Sequence, residues 1–412
     1  MDILLVILLL LHGMLSGADP YDGLTDASPR GGGGNAVADA PGTSAPGSGP
    51  EAPEAGAGSS DPAADPRGGT TRVKIDPQPD APKVKGIYVT AHSAGGSRME
   101  ELLELVRSTD LNAMVIDVKD DWGYITWPAD NPELAELGTT KKIIRDMEAL
   151  LNRLREENVY PIARIVVFKD SVLAGKRPDL SFRKADGTVW KNGRGESFVN
   201  PYRREVWEYN VAVAREAAKL GFKEIQFDYV RFPEGFEKRA DELLYDRTEE
   251  SRIDVVSGFV EYAKKELEPL GVRVSVDIFG YAASVPAAEG IGQDFVRISE
   301  HVDVISPMVY PSHYSTGWFG LKDPDKEPYA TIRGAMEDTH EKLEQLGDLK
   351  PIIRPWIQDF TATWLGKGHY IPYGKAEVEA QIQALADTGI KEFMIWNAGN
   401  KYTAGVRYDL LD

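Results

Sequence analysis

From residue 84 onward the chain alternates between two hydrophobic rhythms. Short runs of β-branched and apolar residues, bounded by Gly, Pro or charged residues, read as strands. Between them lie longer stretches with apolar positions three and four apart, which read as helices. Residues 84–90 form the first strand, and Ser97 with Glu100 has the spacing of a capping box for the helix that follows. Strand two covers 113–118, a small hairpin 122–127, a helix 140–156 and strand three 161–168. The helix over 201–220 has Pro201 near its first turn and Gly221 just past its end. Strand four follows, then a helix over 250–267 and strand five over 272–279. A short helix 295–300, strand six 302–310, a helix 329–346, strand seven 351–357, a helix 376–388 and strand eight 392–396 complete the series. Only a short tail follows, and residues 402–411 are expected in the place of an eighth helix.

Strand then helix, repeated to a count of eight strands, predicts an α/β chain closed as a (β/α)8 TIM barrel. An open doubly wound sheet is the runner-up, but its Gly-rich phosphate turn has no match at residues 92–96. The stretch 224–233 organises this reading. Ile225, Phe227 and Tyr229 alternate with Gln226, Asp228 and Val230, Arg231 follows, and Pro233 stops the strand. A carboxylate in a buried strand is costly unless it is paired or faces a site. In a parallel barrel the C-terminal strand ends are where chemistry is built.

The N-terminal part has a different character. Residues 3–11 are an unbroken aliphatic run, too short for a stable bilayer span, and Ser16, Gly17 and Ala18 supply small residues at cleavage positions. Residues 1–18 therefore read as a signal peptide or uncleaved signal anchor, although Asp2 replaces the usual positive charge and a misassigned start would also explain it. Residues 19–82 are rich in Gly, Pro, Ala, Asp and Ser, too poor in apolar residues to offset ordering entropy, and read as a disordered linker. The barrel domain is assigned to 83–412, and the whole to a secreted or surface-associated protein, with a membrane reached only through an uncleaved anchor.

Charge and composition narrow the chemistry. A net charge of −18 argues against a nucleic-acid backbone as partner and makes an acidic polysaccharide a poorer first guess than a neutral one. The absence of cysteine excludes disulfides, thiolate metal sites and cysteine nucleophiles. The six histidines make no close ligand pair, so no metal or other cofactor is expected, and a metal-dependent deacetylase built on His313 and the acids is the weakest reading.

Acids fall at or near strand ends. Asp117 ends strand two, Asp228 strand four and Asp277 lies late in strand five, while Asp359 follows strand seven and reads as a loop cap. Tyr88, Trp122, Trp127, Tyr229, Tyr281, Tyr310, Trp356 and Trp396 lie around the same rim, and aromatic faces pack well against the C–H faces of sugars. Paired acids between aromatic walls point to glycoside hydrolysis, in which one carboxylic acid protonates the leaving oxygen and a second carboxylate attacks or activates water. Asp228 and Asp277 are the candidate pair. Asp117, Lys119, Trp122, Arg164, Tyr229, Arg231, Tyr281, Tyr310, His313, Trp356, Gln358 and Trp396 are the candidate sugar-holding or orienting residues, with Arg231 expected beside Asp228. A carbohydrate-binding or cell-wall-associated barrel without catalysis needs the same aromatics and no working acid pair.

Segments in order along the chain carry a family resemblance: Val115-Ile116-Asp117-Val118-Lys119-Asp120-Asp121, Phe198-Val199-Asn200-Pro201-Tyr202, the 224–233 stretch, Val276-Asp277-Ile278-Phe279-Gly280, residues 306–314, and Arg354-Pro355-Trp356-Ile357-Gln358-Asp359-Phe360. With these the chain resembles the putative glycosyl hydrolase domain family of bacterial secreted proteins, itself distantly similar to α-amylase and α-galactosidase barrels. The resemblance implies a TIM barrel and a carbohydrate-active enzyme. It matches Asp228 to the strand-four nucleophile of amylase-like barrels. Asp277 stands where those barrels carry a Glu acid/base, so the donor is Asp277 or another acid, with Glu234 the alternative.

Overall fold

The computed structural model describes residues 74–411, so the signal-like segment and most of the linker lie outside the described residues. The strand segments are β1 Lys85–Val89, β2 Ala113–Lys119, β3 Tyr160–Val166, β4 Glu224–Asp228, β5 Arg273–Phe279, β6 Val304–Met308, β7 Ile352–Ile353, β8 Trp356–Gln358 and β9 Phe393–Trp396. All pair in parallel, and the β1–β9 and β5–β6 pairings close the sheet on itself. β7 and β8 are two halves of one stave, interrupted at Arg354-Pro355 where proline has no N–H to give. The result is the closed eight-stave barrel expected from the alternating pattern.

Helices α1 (Arg98–Arg107), α2 (Met147–Glu156), α3 (Arg204–Leu220), α4 (Arg252–Leu267), α5 (Phe295–Glu300), α6 (Pro328–Leu343) and α7 (Lys375–Asp387) wrap the outside. The strand alternation sorts side chains into two apolar layers. Ile87, Ile116, Ile165, Phe227, Ile305, Ile357 and Ile395 face the helices. Tyr88, Val115, Ile162, Tyr310, Trp356, Met394 and Trp396 fill the barrel. Both faces of the staves are buried, which is why they read as near-continuous apolar runs.

Some expected boundaries move for local reasons. The helix expected over 140–156 begins only at Met147, where the Asp146 side chain accepts from Ala149 N at 2.8 Å; Thr140 instead bridges to Ile125. Ser97 has helical φ/ψ of −67° and −24° and makes no cap bond, so the expected capping box is absent, and Glu100 pairs with Arg107 at 3.1 Å. A capping box forms at Ser251 and Asp254. Pro201 precedes α3, which starts at Arg204, and its carbonyl accepts from Trp207 Nε1 at 2.7 Å. Strand four ends at Asp228, before Tyr229. The eighth helix is replaced by a short 3-10 turn, Tyr408–Leu411.

The floor of the barrel is polar but closed. Arg354 donates from Nη1 to Glu224 Oε1 and from Nε to Glu392 Oε2, each at 2.7 Å, with all three side chains at most 2 % exposed. Residues 74–82, which composition places in the linker, lie against this end: Asp76 Oδ1 accepts from Arg273 Nε at 2.9 Å and Lys74 Nζ reaches the Ser299 and Leu349 carbonyls at 3.3 Å. Removing one member of a buried ion set leaves the others uncompensated, at a cost of about 3–5 kcal/mol. Arg354→Met is therefore expected to destabilise the domain by about that amount in denaturant titrations.

Candidate active site

Register brings the candidate acids together at the other end. Asp117 on β2 pairs with Arg164 on β3, and Val166 of β3 pairs with Asp228 on β4. Phe227 pairs with Val276 on β5, so the next positions, Asp228 and Asp277, stand side by side on adjacent staves. Neighbouring strands run about 4.8 Å apart, which sets the two carboxyl groups on one wall near the C-terminal rim.

Arg164 organises this wall. Its Nε and Nη2 donate to Asp228 Oδ2 at 3.0 and 2.6 Å, and its Nη1 donates to Asp117 Oδ1 at 2.8 Å and Asp121 Oδ2 at 3.1 Å. The guanidinium is almost wholly buried and lies over the rings of Tyr88 and Trp396, 5.4 and 5.3 Å from their centroids. Tyr88 donates its hydroxyl to Asp117 Oδ2 at 2.6 Å. Burial, aided by the charge of Asp121 and opposed by Arg164, raises the Asp117 carboxyl to about 7. Asp228 Oδ1 accepts from the backbone N–H of Tyr229 at 2.6 Å. Tyr229 has φ +52°, a left-handed conformation uncommon for a bulky residue and characteristic of functional sites.

Asp277 has different company. It is 1 % exposed, and its Oδ1 accepts from the neutral indole N–H of Trp356 at 2.7 Å. Burial first, and the charge of Asp228 second, hold its carboxyl well above the usual range; the Trp356 bond and Arg164 pull the other way and lose. Asp228 is thus bonded from β3 and Asp277 from β8. Trp356 meets Trp396 edge-on with centroids 5.5 Å apart, and Trp396 stacks on Tyr88 at 4.0 Å. These rings form a continuous aromatic lining beneath the acids.

The other sequence candidates divide. Lys119 does not serve the mouth: a register shift in β2 between Asp117 and Lys119 turns it to the helix side, where it is fully buried with Nζ 2.7 Å from Asp170 Oδ2 and 2.6 Å from Val166 O. Gln358 is also committed elsewhere, donating to Asp325 Oδ1 at 3.0 Å and accepting from Ser312 Oγ at 2.8 Å with no exposure. Arg231, expected beside Asp228 from its spacing, turns its Nη2 to Glu234 at 3.1 Å, and its guanidinium stacks on Tyr229 and Phe279 at 4.8 and 4.7 Å. Two residues of intervening backbone, the left-handed Tyr229 and Val230, separate it from Asp228. Tyr281 stacks on Phe279 at 5.5 Å. Tyr310 is fully buried and meets the His313 ring edge-on at 5.0 Å; burial pushes His313 down to about 3, leaving it neutral, with Nδ1 3.0 Å from Ser312 Oγ. Trp122 stands open at the rim, 54 % exposed. Asp359 is the loop cap expected of it, accepting from Thr403 N and Oγ1 at 2.8 and 2.6 Å.

Sequence reasoning missed Asp121, Lys169 and Glu196. Lys169 Nζ lies 2.7 Å from Asp121 Oδ1, 3.5 Å from Glu196 Oε1 and 3.9 Å from the Tyr229 ring centroid. The doubled acid Asp120-Asp121 after strand two was a visible signal. Lys169 and Glu196 sit in loops whose approach no spacing announces.

The fold and site define a (β/α)8 barrel with Asp228 and Asp277 on adjacent staves near its C-terminal rim, above a buried aromatic lining. The chain belongs to the putative glycosyl hydrolase domain family, whose model matches residues 86–402. Among solved structures, it is similar to the glycoside hydrolase domain of PgaB (BpsB) from Bordetella bronchiseptica, at 13 % identity over 77 % of this chain and 95 % of that one, with a TM-score of 0.51. A hypothetical protein from Ruminiclostridium thermocellum is 31 % identical over 46 % of this chain and 96 % of its own, with a TM-score of 0.43. An α-galactosidase from Thermus thermophilus is 14 % identical over 79 % of this chain and 60 % of its own, with a TM-score of 0.45. The PgaB likeness shows the barrel fold alone. No curated protein matches the chain.

The surroundings of Asp277 carry a stability consequence. Its carboxyl is raised in the folded state, so between the unfolded value of about 4 and the raised one the folded chain binds the extra proton. Stability is thus lost as pH climbs through that window. In Asp277→Asn the amide oxygen keeps the Trp356 bond and no charge forms. This variant is expected to unfold at higher temperature than the parent at neutral pH, by roughly 2–4 °C per kcal/mol gained, with the difference vanishing below about pH 4. Thermal scans across pH measure it.

Proposed function

We propose that the chain is a glycoside hydrolase acting on a poly- or oligosaccharide, secreted or held at a bacterial cell surface, with Asp277 as proton donor and Asp228 as the partner carboxylate. The observation that carries this is the unlike company of two adjacent acids: Asp228 on a guanidinium, Asp277 on an indole in a buried wall. Burial raises the Asp277 carboxyl, and a raised acid beside a second carboxyl group is how acid and base roles are divided.

With Asp277 Oδ1 taken by Trp356, Oδ2 is the oxygen that carries the proton to the glycosidic oxygen. As the leaving sugar departs, positive charge develops at the anomeric carbon. Asp228 answers it, either by bonding to that carbon or by taking a proton from an attacking water. Arg164 and the Tyr229 N–H fix its orientation, so the carboxylate need not reorganise during the reaction. Glu234, the alternative donor, is 39 % exposed and ion-paired with Arg231.

A second reading has its own support. Asp228 is 5 % and Asp277 1 % exposed, and such enclosure also suits a barrel that grips a glycan on its rim without cutting it. Released reducing ends from a glycan panel separate the two. Asp228→Asn and Asp277→Asn are each expected to lose about 10²–10⁴-fold in turnover, whereas Glu234→Gln keeps it within a few-fold. Turnover should fall on the alkaline side as the Asp277 proton is lost. Unchanged turnover in Asp228→Asn ends the assignment.

A further inference from the structure

Among the described residues, the exposed large apolar side chains are Ile75, Leu244, Leu270 and Trp122, and of these Trp122 is the aromatic one. A lone exposed apolar residue is ordinary on any surface. Two features set Trp122 apart: how firmly its backbone is held, and what stands next to it.

Asp120 Oδ1 accepts the N–H groups of Trp122, Gly123 and Tyr124 at 3.0, 3.1 and 2.9 Å. The Trp122 carbonyl accepts from Ser171 N and Val172 N at 3.0 and 3.1 Å. Gly123 has φ +100°, and a Cβ there would collide with Asp170 Oδ1. Asp170 is in turn fixed by the fully buried Lys119 and caps the helix Ser171–Lys176 through Leu173 N at 2.7 Å. A buried ion pair behind the barrel wall therefore steadies the loop that presents the indole. A platform already ordered costs little further entropy when a ligand arrives.

Its neighbour in sequence, Asp121, touches the guanidinium that holds Asp228. The ion pairs of this rim also share a polarity. Asp121 is 38 % exposed over Arg164 and Lys169 at 1 % and 4 %, and Glu234 is 39 % exposed over Arg231 at 5 %. At each, the carboxylate faces solvent and the cation lies beneath. Groups that donate hydrogen bonds are favoured there, and carboxylates are repelled.

We propose that Trp122 and Asp121 form a sugar subsite beside the acid pair, in which the indole takes the C–H face of a pyranose and Asp121 accepts from its hydroxyl or amine. This rests on the hydrolase reading above and extends it to the substrate: a chain of several sugars free of carboxylates, not a uronate polymer. The test is calorimetric binding to the Asp228→Asn protein, whose buried Arg164 keeps Asp117 and Asp121 as partners, of four hexasaccharides: cellohexaose, N-acetylglucosamine hexamer, glucosamine hexamer and hexagalacturonate. A carboxylate-free hexamer should bind more tightly than hexagalacturonate. Adding Trp122→Ala should weaken that hexamer by about tenfold or more, and Trp122→Phe should restore most of the loss. Equal affinity with and without the indole overturns the subsite, as does tightest binding of hexagalacturonate or binding of none of the four. Trp122-dependent binding in a protein whose parent shows no hydrolysis supports the subsite and sinks the hydrolase reading alone.

Discussion

One guanidinium answers three carboxylates at the mouth of this barrel. Arg164 is the cation that Asp117, Asp121 and Asp228 share, and it is buried beneath them. Charges taken out of water need partners close at hand. Lys169 is a second cation on Asp121. Burial first, then the charge of Asp121, raises Asp117 to about 7 against the pull of Arg164, and the Tyr88 hydroxyl bonds to it. Asp277, one stave further round, has an indole N–H where Asp228 has a cation, and burial holds its carboxyl well above the usual range. The proposed division of labour follows from which stave carries the arginine.

The barrel is held by buried charge at both ends, with different consequences. At the floor, Arg354 meets two glutamates and residues 74–82 lie against that end, so the set is closed and structural. At the mouth, the outermost carboxylates of Asp121 and Glu234 remain open to solvent. Between the two lies the aromatic and aliphatic filling of Tyr88, Val115, Ile162, Trp356, Met394 and Trp396. Low dielectric there strengthens each interaction of the acid wall and makes its unpaired members costly. Burial of Asp277 favours its neutral form.

The loop after β2 shows how a strand irregularity serves the rim. The shift in register between Asp117 and Lys119 leaves the first on the barrel side and the second on the helix side. One carries charge to Arg164; the other anchors Asp170 and, through it, the Trp122 loop. Bulges near active sites commonly re-aim side chains in this way. Strict alternation would have kept both residues on one face.

The periodicity of the chain was enough for the barrel, its helices and the strand-end positions of Asp117, Arg164, Asp228 and Asp277. Each of these is a local property: a run of apolar residues, a breaker, an acid at a fixed place in the run. Boundaries failed where a partner from elsewhere competed, as when Thr140 bridged to Ile125 and the following helix began late. Roles failed where distance mattered. Arg231 is three residues from Asp228 yet turns to Glu234, whereas Arg164, 64 residues away in sequence, makes the pair. Lys119 and Gln358 have the right chemistry and spend it inside the protein. Sequence alone determined which residues line the end of each strand, because side-chain direction follows backbone period. Which of them pair, which keep a proton and which face solvent was decided by the closed sheet. Those properties depend on distances and burial between staves, which no local pattern encodes.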